Sequence, residues 1–266
     1  MTRPVSATAV GERRAEFSDG FERNQLDPDR WLAAYLPQWS SRRRSAPTYA
    51  FDRGRLVLSI APGQAPWCPE WDGDVRVSSI QTGCFAGPLG SAVGQHRFAP
   101  GVVVREEQPE MRLYTPLHGR LELRASAELG PDTMAAFWLI GFEDRPVDSG
   151  EICVVEIFGR DVSRGRVAAG MGVHPHGDPR LHEDFDRMEL AIDSAEPHDY
   201  AIEWTADGIA WEVDGTVVRR SAQSPRSPMQ LMLGVYAFRD IRPDEPAPHF
   251  VVERVRGFAA GDIRAG

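Results

Sequence analysis

Two glutamates in one short apolar stretch carry the chemistry this sequence suggests. Gly150-Glu151-Ile152-Cys153-Val154-Val155-Glu156-Ile157-Phe158-Gly159 has the composition of a buried strand. Successive strand side chains point to opposite faces, so Glu151 and Cys153 share one face while Ile152 and Val154 take the other. Glu156 falls one residue out of step. A β-bulge near Val154-Val155 adds one residue to the strand and returns Glu156 to the face of Glu151. Ile152, Val154 and Ile157 then line a core. Two facing carboxyls on a rigid strand are what glycosidic cleavage needs. One protonates the leaving oxygen and the other attacks the sugar, with the pair about 5–5.5 Å apart where configuration is retained. The same spacing also fits an exposed sheet face, the ordinary place for a carboxylate.

The rest of the chain must supply the sheet that holds this strand. With 266 residues, 25 Gly and 21 Pro, it suits many strands joined by turns around one core. Residues 119–129 alternate cleanly, with Leu121, Leu123 and Ala125 opposite Arg120, Glu122, Arg124 and Ser126. Asp207-Gly208 and Asp214-Gly215 mark tight hairpin turns between short strands. Residues 1–16 are polar without periodicity and are expected to be an arm. Residues 17–266 are expected to form a single domain.

Composition excludes several classes. The net charge of −9, with all the basic charge on Arg, argues against a nucleic-acid partner. No apolar run approaches the ~20 residues of a membrane span. No secretory h-region is evident near Met1, so the protein is expected to be cytoplasmic unless a signal lies outside this chain. The three cysteines, Cys68, Cys84 and Cys153, do not suggest a disulfide scaffold, and a Cys68–Cys84 pair stays open. His174-Pro-His176-Gly-Asp178 offers two His and an Asp, but it reads as a loop with no further ligand, so no metal site is expected.

Taken together, these segments resemble glycoside hydrolase family 16, the laminarinase-like and lichenase-like β-glucanases. That family's signature, Glu-x-Asp-x-x-Glu in its bulged form, is matched by Glu151-Ile-Cys153-Val-Val-Glu156, with Cys153 in place of Asp. Met134-Ala-Ala-Phe137-Trp138-Leu-Ile-Gly141 is similar to the family's Trp-Pro-Ala-Phe-Trp-Leu-x-Gly. The run from Tyr200 through Trp204 and Trp211 to Asp214-Gly215 resembles its late hairpins.

The resemblance implies an all-β fold, a two-sheet antiparallel sandwich of the concanavalin-like jelly-roll type. It implies a retaining hydrolase or transglycosylase acting on a β-linked oligo- or polysaccharide. Glu151 would be the nucleophile and Glu156 the acid/base, with activity reduced or altered by Cys153. Substrate contacts are expected from Glu122, Trp138, His174, Tyr236, Gln81 and Trp39. For Trp138 the groove face and the core face of its strand are both left open. The loop residues Gln95, His96 and Arg97 are further candidates, with surface exposure the default reading. No cofactor is expected, although family members often hold a structural calcium near Asp19. A monomer is expected. The alternative reading is a lectin-like protein that binds a glycan on the same fold without cleaving it.

Overall fold

Alternation of apolar and polar side chains shapes one sheet of this protein, and strands buried along nearly their whole length shape the other. In Gly119–Glu128 every second residue is buried, as a strand packed on one side and wet on the other requires. The computed structural model describes residues 14–260 and is almost entirely β. In chain order the strands are β1 (Phe17–Asp19), β2 (Thr48–Asp52), β3 (Arg55–Ser59), β4 (Arg76–Gln81), β5 (Gly83–Cys84) and β6 (Met111–Arg112). There follow β7 (Gly119–Glu128), β8 (Thr133–Gly141), β9 (Glu151–Phe158), β10 (Val162–Ser163), β11 (Arg166–His174) and β12 (Asp184–Leu190). The last are β13 (His198–Thr205), β14 (Gly208–Val213), β15 (Thr216–Ser221), β16 (Met229–Ala237) and β17 (His249–Phe258).

These strands form two antiparallel sheets. One runs β15-β14-β13-β7-β17-β3-β2, with β1 also on β17. The other runs β10-β11-β9-β8-β16-β4, with β12 also on β11. Strands distant in sequence lie side by side in both, as in a two-sheet jelly roll. The inner faces meet in one core. Leu121, Leu123, Ile202, Trp204 and Trp211 come from the first sheet, and Phe137, Leu139, Ile152, Leu231 and Leu233 from the second. Each fully buried side chain of this size contributes roughly 1.5–3 kcal/mol.

A second apolar layer covers part of the outer face of the second sheet. Tyr35, Leu36, Trp39, Trp67, Val102 and Val104, all from segments between strands, pack on Trp138, Met232 and Tyr236. These segments between strands therefore cover part of the face on which Trp138 and Tyr236 lie. Cys68, Cys84 and Cys153 are all buried and free. Among the described residues, no helix is long and apolar enough to cross a membrane. Most of the expected N-terminal arm lies outside the described residues.

Candidate active site

The expected bulge is present, and the strands on both sides register it. Along β8, Phe137 pairs with Val155 and Trp138 with Cys153, so Val154 is extra. Along β11, Gly170 pairs with Glu156 and Gly172 with Cys153. Val154 and Val155 both turn into the core beside Ile152 and Ile157. Glu151, Cys153 and Glu156 consequently emerge together on the outer face. Trp211, from the opposite sheet, donates its indole N–H to the carbonyl of Cys153 at 2.8 Å and pins the bulged segment from beneath.

The thiol of Cys153 sits between the two carboxyls. Its Sγ lies 3.0 Å from Glu151 Oε1 and 3.5 Å from Glu156 Oε1. A thiol has a single proton, so it can donate to only one of them at a time. Burial, joined by both neighbouring carboxylates, pushes the Cys153 thiol well above its ordinary value and keeps it neutral. The two glutamates are driven apart electrostatically. Burial, then the charge of Glu151, raises Glu156 to about 7. Burial opposes ionisation of Glu151 as well, but the His176 hydrogen bond and the nearby imidazoles hold it below its usual range. Two titratable neighbours separated in this way divide into an acid and a base.

Two loops close one end of the site. His176 Nε2 lies 2.7 Å from Glu151 Oε2. His96 meets the His176 ring edge to face, with centroids 4.8 Å apart. Burial drops His96 to about 4, so its imidazole is neutral. The His96 backbone N–H donates to Glu143 Oε1 at 2.6 Å, tying its loop to the one after β8. That second loop is tied in turn to the His176 turn: Gly177 N donates to Ser149 Oγ at 2.9 Å, and Arg180 bridges Asp148 and Asp178. Burial raises Glu143 to about 7. Beyond the histidines opens a cleft of about 710 Å³, lined by His96, Arg97, Arg112, Glu143, Asp144 and His176 among others.

The structure sorts the other expected residues. Trp138 lies on the outer face of its strand but is almost covered. Its ring meets His96 at 5.3 Å, and its N–H donates to Tyr236 Oη at 3.1 Å. Tyr236 is buried beside it under Tyr35, so it offers no open stacking face. His174 reaches the site at the end of β11, with its Nδ1 2.7 Å from Glu183 and its ring stacked on Phe185.

Three assignments need correction. Gln81 is fully buried: its Oε1 accepts from Leu36 N and its Nε2 donates to the Gly83 carbonyl, so it braces loops. Trp39 is likewise buried, donating to the Gln95 carbonyl at 2.9 Å within the second apolar layer. Glu122 belongs to the other sheet, on the outward side of β7, where it pairs with Arg120 and Arg256. None of the three can reach a sugar beside Glu151 as the chain stands.

Asp19 accepts from Phe21 N and from the Trp31 indole, one bond to each carboxylate oxygen. Among the described residues it belongs to no cluster of three potential His, Cys, Asp or Glu ligands. Asp178 turns away from the two histidines into its ion pair with Arg180. Glu143 was not singled out by the sequence at all, and His96 only as a candidate sugar contact with surface exposure as its default reading. No local spacing links either of them to Glu151.

Comparison with known proteins bears on the family and the fold. The family model described as "Glycosyl hydrolases family 16" matches residues 114–247. The Crh-like protein CRH11 of Candida albicans is 26% identical over 129 residues, which is 47% of this chain and 26% of that protein. The Crh-like protein 5 of Aspergillus fumigatus is 32% identical over 72 residues, 24% of this chain and 18% of that protein. The chain thus spans about a quarter or less of the length of these curated relatives. Among solved structures, a GlcNAcα1-4Gal releasing endo-β-galactosidase from Clostridium perfringens superposes with a TM-score of 0.81 at 25% identity, covering 100% of this chain and 67% of that one. A laminarinase from Flavobacterium sp. UMI-01 gives 0.59 at 15% identity, covering 92% of this chain and 100% of that one, which shows a shared fold.

Proposed function

Because the chain belongs to glycosyl hydrolases family 16, we propose that it cleaves or transfers a β-linked glycan by double displacement. Glu151 is the nucleophile and Glu156 the acid and base. The observation that carries this reading is the single thiol of Cys153 within reach of both carboxyls. One sulfur 3.0 Å from the first carboxyl and 3.5 Å from the second keeps the pair at or below the near edge of the roughly 6.5–9.5 Å range of inverting enzymes, which favours retention.

The charges suit the roles. Glu156, protonated up to about pH 7, gives its proton to the leaving oxygen. Glu151, held ionised by His176, attacks the anomeric carbon and forms a glycosyl ester. Esterification removes the negative charge that helps raise Glu156, so Glu156 becomes a stronger acid and stays ionised. As a carboxylate it then takes a proton from water, or from a sugar hydroxyl in transfer. The incoming oxygen releases the glycan from Glu151, and both groups return to their starting states. Before reaction, a protonated Glu156 donates to the Cys153 sulfur while the thiol donates to Glu151. The thiol thus stands where the family pattern has Asp, as a weaker partner, which favours reduced turnover.

The weak thiol partner between the two carboxyls favours a second reading, a protein that binds a glycan without cleaving it. Reducing-end release from β-glucans and from a glycan with internal β-galactosides separates the two. We expect wild type to release ends, and Glu151→Gln and Glu156→Gln each to lose on the order of a thousandfold. Full activity in either variant would overturn the assignment. Binding by all three proteins with hydrolysis by none would establish the binding protein instead.

A further inference from the structure

Two histidines from separate loops converge on Glu151, and the mechanism above uses only one of their ring nitrogens. His96 and His176 both have left-handed backbone, with φ of 50° and 44°. Non-glycine residues hold that conformation where their surroundings over-determine it, and such positions cluster at functional sites. One ligand atom each from His96, His176 and Glu151 falls within 4.8 Å of the other two.

We propose that His96, His176 and Glu151 bind a borderline divalent cation of the zinc type, with solvent from the open cleft completing its shell. Two imidazoles and one carboxylate with an open position form a zinc-type donor set. Imidazole nitrogen favours zinc, cobalt, nickel and copper over magnesium or calcium. Bonds of roughly 2.0–2.2 Å ask ligand atoms that lie within 4.8 Å of one another to draw together about the ion. The shared proton between His176 and Glu151, across 2.7 Å, gives way to the ion, and the paired rings turn towards it.

The supports for such a site are already in place. His96 is anchored through its N–H on Glu143, and the turn carrying His176 is anchored on Ser149. These are backbone contacts, and they fix the loops from which the two rings approach Glu151. A second set, Glu151 with Cys153 and His174, meets the same distance limit. Its sulfur, however, is shut away from solvent, whereas the histidine pair borders the cleft. The ion therefore enters by the histidines.

Binding itself does not depend on the hydrolase reading. One consequence does: an ion on Glu151 occupies the attacking oxygen, so zinc inhibits glycan cleavage and a chelator restores it.

Chelator-stripped full-length protein, titrated with Co²⁺ and with Zn²⁺, tests the site directly by equilibrium dialysis and visible absorption. We expect one ion per chain and cobalt d–d bands without a thiolate charge-transfer band. His96→Gln and His176→Gln should each weaken binding at least tenfold, with unchanged circular dichroism showing that they fold. Cys153→Ala and His174→Ala should bind as wild type does. Absence of saturable binding, binding indifferent to both histidine variants, or a charge-transfer band abolished by Cys153→Ala would each overturn the proposal. Cobalt binding in a protein that cleaves no glycan would leave the site standing and remove the hydrolase reading. Cleavage without cobalt binding would do the reverse.

Discussion

The indole N–H of Trp211 donates to the carbonyl oxygen of Cys153 at 2.8 Å, joining the two sheets directly beneath the bulge. Trp211 lies in the core of one sheet, and Cys153 lies between the two carboxyls of the other. Replacing Trp211 by Phe keeps most of the apolar volume but removes the donor. A buried polar group left without its partner costs about 1–3 kcal/mol. Urea denaturation of Trp211→Phe should show a loss of that size. If the bond also holds the bulge in place, kcat should fall while KM changes little.

Cys153 sets the interaction between the carboxyls. In Cys153→Ala the sulfur is gone, Glu151 loses one partner, and turnover should fall. In Cys153→Asp a stronger hydrogen-bonding group returns, and hydrolysis should rise by about tenfold, roughly the effect of one good hydrogen bond. An unchanged rate for Cys153→Asp on an established substrate would count against the assigned roles.

The pH profile follows from the sign of each shift. Glu156 must hold its proton, and its value is raised to about 7, so kcat/KM should fall as pH rises through about 7. Glu151 must be ionised, and its value is lowered, so the acid limb should lie below the ordinary carboxylate range. Measured in the presence of a chelator, the profile should therefore be broad on the acid side and closed near neutrality.

Stability should respond to Glu143 in the same pH window. Its carboxyl is raised from 4.5 to about 7 by burial. The folded state thus holds a proton that the unfolded chain releases. That contribution is complete below about 4.5 and is lost as pH rises through about 7. Glu143→Gln keeps an acceptor for His96 N and cannot ionise. Its Tm relative to wild type should climb from mildly acidic to mildly basic pH.

Gly172 pairs with Cys153 across the bulge and has a φ of 155°. A Cβ there would lie 2.2 Å from the Asp184 carbonyl oxygen, which belongs to backbone and cannot swing aside. Gly172→Ala should destabilise the fold by about 1–3 kcal/mol or more, with a matching fall in the urea midpoint.

Local spacing along the chain determined the strands, the bulge and the shared face of Glu151, Cys153 and Glu156. These follow from a period of two and a single extra residue, and neighbours in sequence are enough to set them. Spacing could not show that Glu122 lies in the other sheet, because alternation assigns a side chain to one side of its strand and says nothing of which sheet receives that strand. It could not show that Trp39 and Gln81 would be covered, because burial there depends on loops folding back over the outer face. Nor could it bring His96 to Glu143, 47 residues away, and beside His176 and Glu151. Only the packed tertiary structure decided those neighbours, since contacts between distant loops are settled by the shape they jointly fill rather than by any repeat along the backbone.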